Sequence, residues 1–207
     1  MTFLIILGIL FAVIIFIVLL TILLLPWMDS WGTPMDELPS VLPGDDLLTN
    51  PPRTTNRSVV IDAASEKIFP WLVQMSADKS GLYSYTWLEN LVGCKMAKVE
   101  EIRPEWQDLQ PGDLMKMCAK DPAPPPYEVA RVIKNEAVIF YHHDAGMVAD
   151  SWAFILLPQP EGSTRLLSRT RTTMIGGFWE VIRPLTFIME RKMLLTIKKL
   201  AENKRGN

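Results

Sequence analysis

The stretch FWEVIRPLTFIMERKMLLTIKKLAE, residues 178–202, reads as a long amphipathic helix. Phe178, Ile182, Leu185, Met189, Met193 and Leu200 recur at helical spacing and form its apolar stripe. Pro184 is expected to split it into a short lead-in and a main helix. Upstream lie β-like stretches at about 97–103, 112–118, 127–133, 136–142, 150–157 and 164–173. Turn signals separate them, among them Pro111-Gly112-Asp113, Lys134-Asn135-Glu136 and residues 160–163. Before these come a short strand, RSVVID (57–62), and a helical pattern over 63–75 with Ile68, Trp71, Leu72 and Met75 on one face. Pro70 restricts or kinks that helix, and a second short helix follows around Tyr85 to Leu91. An antiparallel sheet of about seven strands needs one face covered, and the C-terminal segment is the only element large enough to cover it. The fold class is therefore α+β, a curved antiparallel sheet wrapped around one long C-terminal helix, with space for a cavity between them.

The other end of the chain belongs to a different class. Phe3 to Leu25 carries no charge and only one hydroxyl, Thr21. As a helix it would be ~34 Å long, enough to cross a ~30 Å hydrocarbon core with some tilt. Pro26 is expected to stop it, and Trp27 and Trp31 lie where an interfacial aromatic belt would be. A cleaved signal peptide fits poorly: there is no basic n-region, the apolar run is too long, and no small-x-small cleavage site follows. A single transmembrane anchor over residues 1–26 is the expectation, and the bilayer is the first expected partner. The first 52 residues contain no Lys or Arg, so the positive-inside rule has nothing to count.

Residues 26–56 hold six of the 16 prolines, at 26, 34, 39, 43, 51 and 52, and 27–56 reads as a proline-rich tether. The same segment is equally readable as an ordered arm packed along the domain surface. Residues 57–207 then form one domain with a single-core size.

Composition excludes several classes. With 21 Lys plus Arg against 23 Asp plus Glu there is no basic excess for nucleic-acid binding. Cys94 and Cys118 form no CxxC pattern, so neither a disulfide scaffold nor a structural zinc site is indicated. Serine-hydrolase elbows and glycine-rich nucleotide loops are absent from the sequence.

Seven stretches, in order, carry a resemblance. They are WGTPMDELPSVLPGD (31–45), IDAASEKIFPWLVQM (61–75), GLYSYTWLENLVGC (81–94), RPEWQDLQPGD (103–113), DSWAFILLP (150–158), TRLLSRTR (164–171) and IMERKMLLTIKKLAE (188–202). Together they resemble the SRPBCC superfamily, the START-like and polyketide cyclase-like helix-grip proteins, and within it membrane-anchored bacterial members. The resemblance implies a helix-grip fold with a hydrophobic pocket between sheet and C-terminal helix. It also implies a ligand among lipids, isoprenoids, polyketides or other apolar small molecules. It implies no particular reaction.

Candidate ligand contacts follow from side-chain chemistry. Trp71, Trp152, Phe154, Met189 and Met193 suit an adaptable apolar wall, and would look the same as plain core. Gln74, Tyr83, Tyr85, Glu89 and Asn90 flank the first helix pair, where they would orient a polar head or simply join the two helices. Glu105 beside Trp106 is a candidate acid with a raised pKa, or a loop anchor. His142-His143-Asp144 resembles a metal cluster, but neighbouring residues on a strand face opposite ways, so no metal is expected. Arg165, Arg169 and Arg171 alternate onto one sheet face, either to meet an anionic head or as a solvated surface.

The basic end of the last helix, with seven Lys or Arg against three Glu over 178–207, suits anionic lipid or a solvated helix face. That end and two apparently unpaired cysteines lean toward a cytoplasmic domain. The reading is a membrane-tethered domain that binds or transfers an apolar small molecule, with no cofactor, no metal and no catalytic residue assigned. The alternatives are a cyclase- or dehydratase-type enzyme using Glu105 or a histidine, and an accessory subunit of a membrane complex. A buried, ionisable residue at the pocket floor would favour the enzyme, a purely apolar pocket with a lipid-facing mouth the carrier, and a collapsed core the subunit.

Overall fold

The computed structural model describes residues 2–34, 36, 38, 41–120 and 123–203. Helix α1 (Thr2–Asp29) leads. Strand β1 (Arg53–Ile61) and helices α2 (Ser65–Val73) and α3 (Thr86–Leu91) follow. Then come β2 (Leu114–Met115), β3 (Tyr127–Ile133), β4 (Ala137–Asp144), β5 (Met147–Pro158), β6 (Thr164–Thr172) and α4 (Phe178–Glu202). The six strands form one antiparallel sheet in the order β1-β6-β5-β4-β3-β2. With α2 and α4 packed on one face, this is the helix-grip arrangement.

The sheet has six strands rather than seven because 97–103 is not a strand. Its backbone groups find other partners: Val99 N donates to Ser80 O at 3.3 Å, and the Gln74 amide bonds Glu101 O at 3.1 Å and Arg103 N at 3.1 Å. The hairpin from β4 to β5 turns on Ala145 and Gly146, both with positive φ, as a two-residue primed turn requires.

Pro184 does not divide α4, which runs unbroken through it. The ring forfeits one backbone bond, but neighbouring side chains hold both sides of the site: Arg183 pairs with Glu180 and Asp29, and Phe187 packs against Trp27 and Trp31. The buried face of α4 is Phe187, Glu190, Met193, Leu194 and Ile197. Phe178 and Leu185, expected in the buried stripe, are 68% and 47% exposed.

Nor does Pro26 end α1, which continues to Asp29. Ser30 Oγ closes the last turn on Pro26 O at 3.0 Å, and Asp29 is fixed by Arg57 and Arg183. Among the described residues α1 is the one helix long and apolar enough to cross a membrane.

The segment after α1 is a packed arm. Ser58 N donates to Trp31 O at 2.9 Å and Ser58 Oγ to Gly32 O at 2.6 Å. A Cβ at Gly32, whose φ is +72°, would collide with the Ser58 carbonyl. Farther on, Leu42 is buried against Ala137, Ile139, Ala153, Ile155 and Leu167, with Leu38 and Leu47 beside it. The sheet face opposite α4 therefore has its own small core. β1 starts at Arg53, four residues before the expected boundary at Arg57.

Candidate functional site

The main core fills most of the space between α2, α4 and the sheet. What it leaves is a cavity of about 270 Å³, near the lower end of the ~300–1,000 Å³ usual for ligand pockets. Its apolar wall is built from Leu82, Met117, Trp152, Ile182, Met189 and Met193. Trp152 is aimed there from β5 by its indole N–H, which donates to Ser168 Oγ at 2.7 Å, and by the Tyr127 ring at 5.7 Å.

An ionic cluster forms another part of the wall, which also carries hydroxyls from Thr55, Ser84, Thr170, Thr172 and Thr186. Arg57 on β1, 3% exposed, pairs with Glu190 of α4, lies 3.6 Å from Asp29, and donates from Nε to Met28 O at 2.8 Å. Arg183 joins Asp29 to Glu180, and Arg53 also pairs with Glu180. Those two arginines, Arg183 first, hold the Glu180 carboxyl down at about 2. All three arginines of the wall thus have carboxylate partners.

Two further carboxyls, those of Asp150 and Glu89, form no ion pair with Lys or Arg among the described residues. Asp150 on β5, 3% exposed, accepts at Oδ2 from the Tyr127 hydroxyl at 2.6 Å, while its Oδ1 is buried without a partner. Glu89 on α3, 6% exposed, has both oxygens buried without a partner. Burial pushes both carboxyls above their ordinary range; for Asp150 the Tyr127 bond and the nearby His142 oppose this. Burial and the Asp150 carboxylate push the Tyr127 hydroxyl well up. Among the described residues, every buried side-chain N or O without a hydrogen-bond partner belongs to a residue lining this cavity: Asp29, Thr55, Glu89, Asp150, Arg183 and Glu190. Native interiors hold few such groups, and here they converge on one space.

Of the residues singled out from the sequence, Trp152, Met189 and Met193 line the cavity. Trp71 is core, edge-on to Tyr83 at 6.1 Å, and Phe154 is fully buried edge-on to Phe140 at 6.3 Å. Gln74, 0% exposed, is a structural hub whose amide bonds Tyr83, Glu101, Arg103 and Gln107. Tyr83 has its hydroxyl pushed up to about 12 by burial and lines a separate, more polar depression. Tyr85 lies under Lys192 at 5.9 Å, away from the lining. Glu105 is exposed and Trp106 half-buried on a short turn, Pro104–Trp106, that does not reach the cavity. Glu105 thus lies away from the cavity, whereas Glu89 lines it, one position from Asn90, whose amide closes the loop onto Met96.

The histidines are placed apart as the strand period requires: His142 lies against Tyr127 and His143 against Tyr141. Among the described residues, no group of three or more His, Cys, Asp or Glu is placed to hold a metal ion. The arginines of β6 face the arm. Arg169 forks onto Asp45 at 2.8 and 3.1 Å, Arg171 reaches Asp45 at 3.3 Å, and Arg165 reaches Gly32 O at 3.2 Å. Their carboxylate is supplied by the chain itself. On the basic helix end, Lys198 is bound to Val60 O and Glu202, and Lys204 and Arg205 lie outside the described residues.

The cysteines are not unpaired. Cys94 and Cys118 form a disulfide with Cα atoms 4.8 Å apart, joining the loop after α3 to the segment after β2. Met117 of the cavity wall sits beside it.

No protein-family model and no curated protein matches the chain. Similar solved structures include protein MLL2253 from Mesorhizobium loti, 16% identical with a TM-score of 0.47, covering 74% of this chain and 100% of that one. The Aha1 dimer from Colwellia psychrerythraea is 17% identical with a TM-score of 0.44, over 74% and 99%. Norcoclaurine synthase from Thalictrum flavum is 16% identical with a TM-score of 0.45, over 73% and 87%. Aha1 and norcoclaurine synthase are helix-grip proteins of the SRPBCC type. None of their activities is carried across.

Proposed function

We propose that this chain binds a small, largely apolar molecule in the cavity between the sheet and α4, and that it takes this molecule from the bilayer in which α1 anchors it. The observation that carries the reading is the cavity itself: a preformed space with one wall of Trp, Met, Leu and Ile side chains. Its position supports the bilayer as the source. Asp29, the last residue of the membrane-length helix, is part of the cavity wall. Helices α3 and α4, which both line the cavity, also carry exposed apolar side chains on their outer faces: Trp87, Leu91 and Val92 on or just after α3, and Phe178, Val181, Leu185 and Ile188 on α4. The last four share one helical face, as a surface resting on a membrane interface would.

A second reading, acid–base conversion of the bound molecule, is favoured by the buried carboxyls of Glu89 and Asp150 in the cavity wall, where burial raises the pKa of each and favours its protonated form. The Cys94–Cys118 disulfide supports an oxidising compartment, and with it a domain on the side of the membrane away from the cytoplasm.

The test is native mass spectrometry of the full chain, released from nanodiscs made of the host membrane, followed by extraction of the bound species. One stoichiometric apolar molecule, lost on Trp152→Ala or Met189→Ala, is the expected result. A chain that leaves the membrane empty and takes up no apolar probe would sink the proposal. Incubating the extracted molecule with native protein and with Glu89→Gln separates the two readings: a product formed only by the native protein marks an enzyme.

A further inference from the structure

The ionic wall of the cavity is unevenly completed. Arg53, Arg57 and Arg183 are each engaged by Glu180, Glu190 or Asp29. Glu89 and Asp150, both more than nine-tenths buried, form no ion pair with Lys or Arg among the described residues. Three of their four oxygens accept nothing, and all three belong to residues that line the cavity. Asp150 has only the Tyr127 hydroxyl at 2.6 Å and His142 as its cross-strand neighbour. A buried carboxylate without a counter-charge is costly, and a fold that needed only an apolar slot would place Gln, Asn or Leu at these positions. The protein spends no cation on them although three arginines stand in the same wall.

We infer that the natural ligand is an apolar molecule bearing a protonated amine, and that its ammonium group pairs with the carboxylates of Glu89 and Asp150. This rests on the reading of the cavity as a ligand site and names the chemistry of that ligand. The ammonium supplies donors and positive charge together, where a hydroxyl supplies one donor and no charge. A carboxylate head brings like charge against Glu89 and Asp150. The apolar wall of Leu82, Met117, Trp152 and Met193 holds the hydrocarbon part. The ranking of heads on one hydrocarbon chain is therefore amine, then alcohol, then acid.

The experiment uses the full chain in phosphatidylcholine nanodiscs, with decylamine, decanol and decanoate as probes and empty nanodiscs as the partition blank. Isothermal titration is expected to show decylamine binding about tenfold or more tightly than decanol, as a charge-assisted bond replaces a neutral one. Decanoate is expected to bind weakest. Glu89→Gln and Asp150→Asn are near-isosteric, and each is expected to bring decylamine to within about threefold of decanol measured on the same variant. Decanol matching decylamine in the native protein, or an amine preference that survives both substitutions, would overturn the inference and leave the cavity as a ligand site. Failure of all three probes to bind would overturn the ligand-site reading itself, and the inference with it. The head-group ranking in the native chain needs no variant to fold.

Discussion

Arg57 joins three elements: it sits on β1, pairs with Glu190 of α4, and reaches Asp29 and the Met28 carbonyl at the end of α1. Its guanidinium also lies 5.5 Å from the centre of the Phe187 ring. Replacing it with methionine keeps much of the side-chain volume and removes the charge. Glu190, 8% exposed and already holding one unpartnered oxygen, would then have no cation; Asp29 would keep Arg183. Leaving a buried carboxylate unpaired costs about 3–5 kcal/mol. At ~2–4 °C per kcal/mol for a chain of this size, Arg57→Met should lower Tm by about 6–20 °C. The double variant Arg57→Met, Glu190→Met removes both charges together and should recover most of that loss, because a buried pair and an apolar replacement are close in energy. Thermal unfolding of the full chain in detergent micelles, followed by circular dichroism, measures both. A drop of under about 3 °C for the single variant, or a double variant no better than the single, would refute the claim that a buried charge pair locks α4 to β1.

Four further outcomes are expected. Both cysteines should resist alkylation until reductant is added, and Cys94→Ala with Cys118→Ala should cost about 3–4 kcal/mol in chemical unfolding, from the loop entropy the bridge removes. Glu89→Gln should raise Tm at neutral pH: a carboxyl whose folded pKa is raised destabilises the fold once pH exceeds its ordinary range, so the advantage should vanish as pH falls below that range. Leu42→Ala should cost about 2–5 kcal/mol and expose the arm to chymotrypsin at Leu47 and Leu48, whereas a loose tether would be cut equally in the native chain. Spin labels at Val181 and Ile188 should show bilayer contact by relaxation with lipid-soluble oxygen, and equal exposure to water-soluble and lipid-soluble relaxants would remove the membrane-facing reading of α4.

Much of the fold is legible in the sequence because period and punctuation are local signals. β3 to β6 and α4 fall within a few residues of their expected bounds, and the turn at 134–136 carries Asn135 at the positive φ such a turn needs. The false strand at 97–103 shows the limit. Its alternation looks like a strand, but its backbone is claimed by Gln74, some 27 residues away, and no local pattern announces that. One available signal bears on the arm. AVIF at 137–140 and WAFILL at 152–157 are unbroken apolar runs rather than alternating ones, which is the pattern of strands covered on both faces. α4 covers one face only, so the other needed a cover, and Leu38, Leu42 and Leu47 provide it.

The site is less legible for a different reason: its apolar half is carried by residue type and its polar half by partnership. Trp152, Met189 and Met193 suit a pocket by their chemistry alone. Glu89 and Asp150 stand out because no Lys or Arg among the described residues pairs with them, and a missing counter-charge is visible only when the neighbours are placed. The same holds for Asp29. In the sequence it is the first charge after an apolar run, and reads as the edge of an anchor. In the fold it bonds Arg183, 154 positions away, and forms part of the cavity wall. The end of α1, the arm and the cavity wall are therefore packed together. A chain cut at Arg53 would lose Asp29 from the wall, Trp31 from Phe187 and Leu42 from the outer core at once. Ligand binding measured on such a fragment would therefore report on a cavity different from that of the full chain.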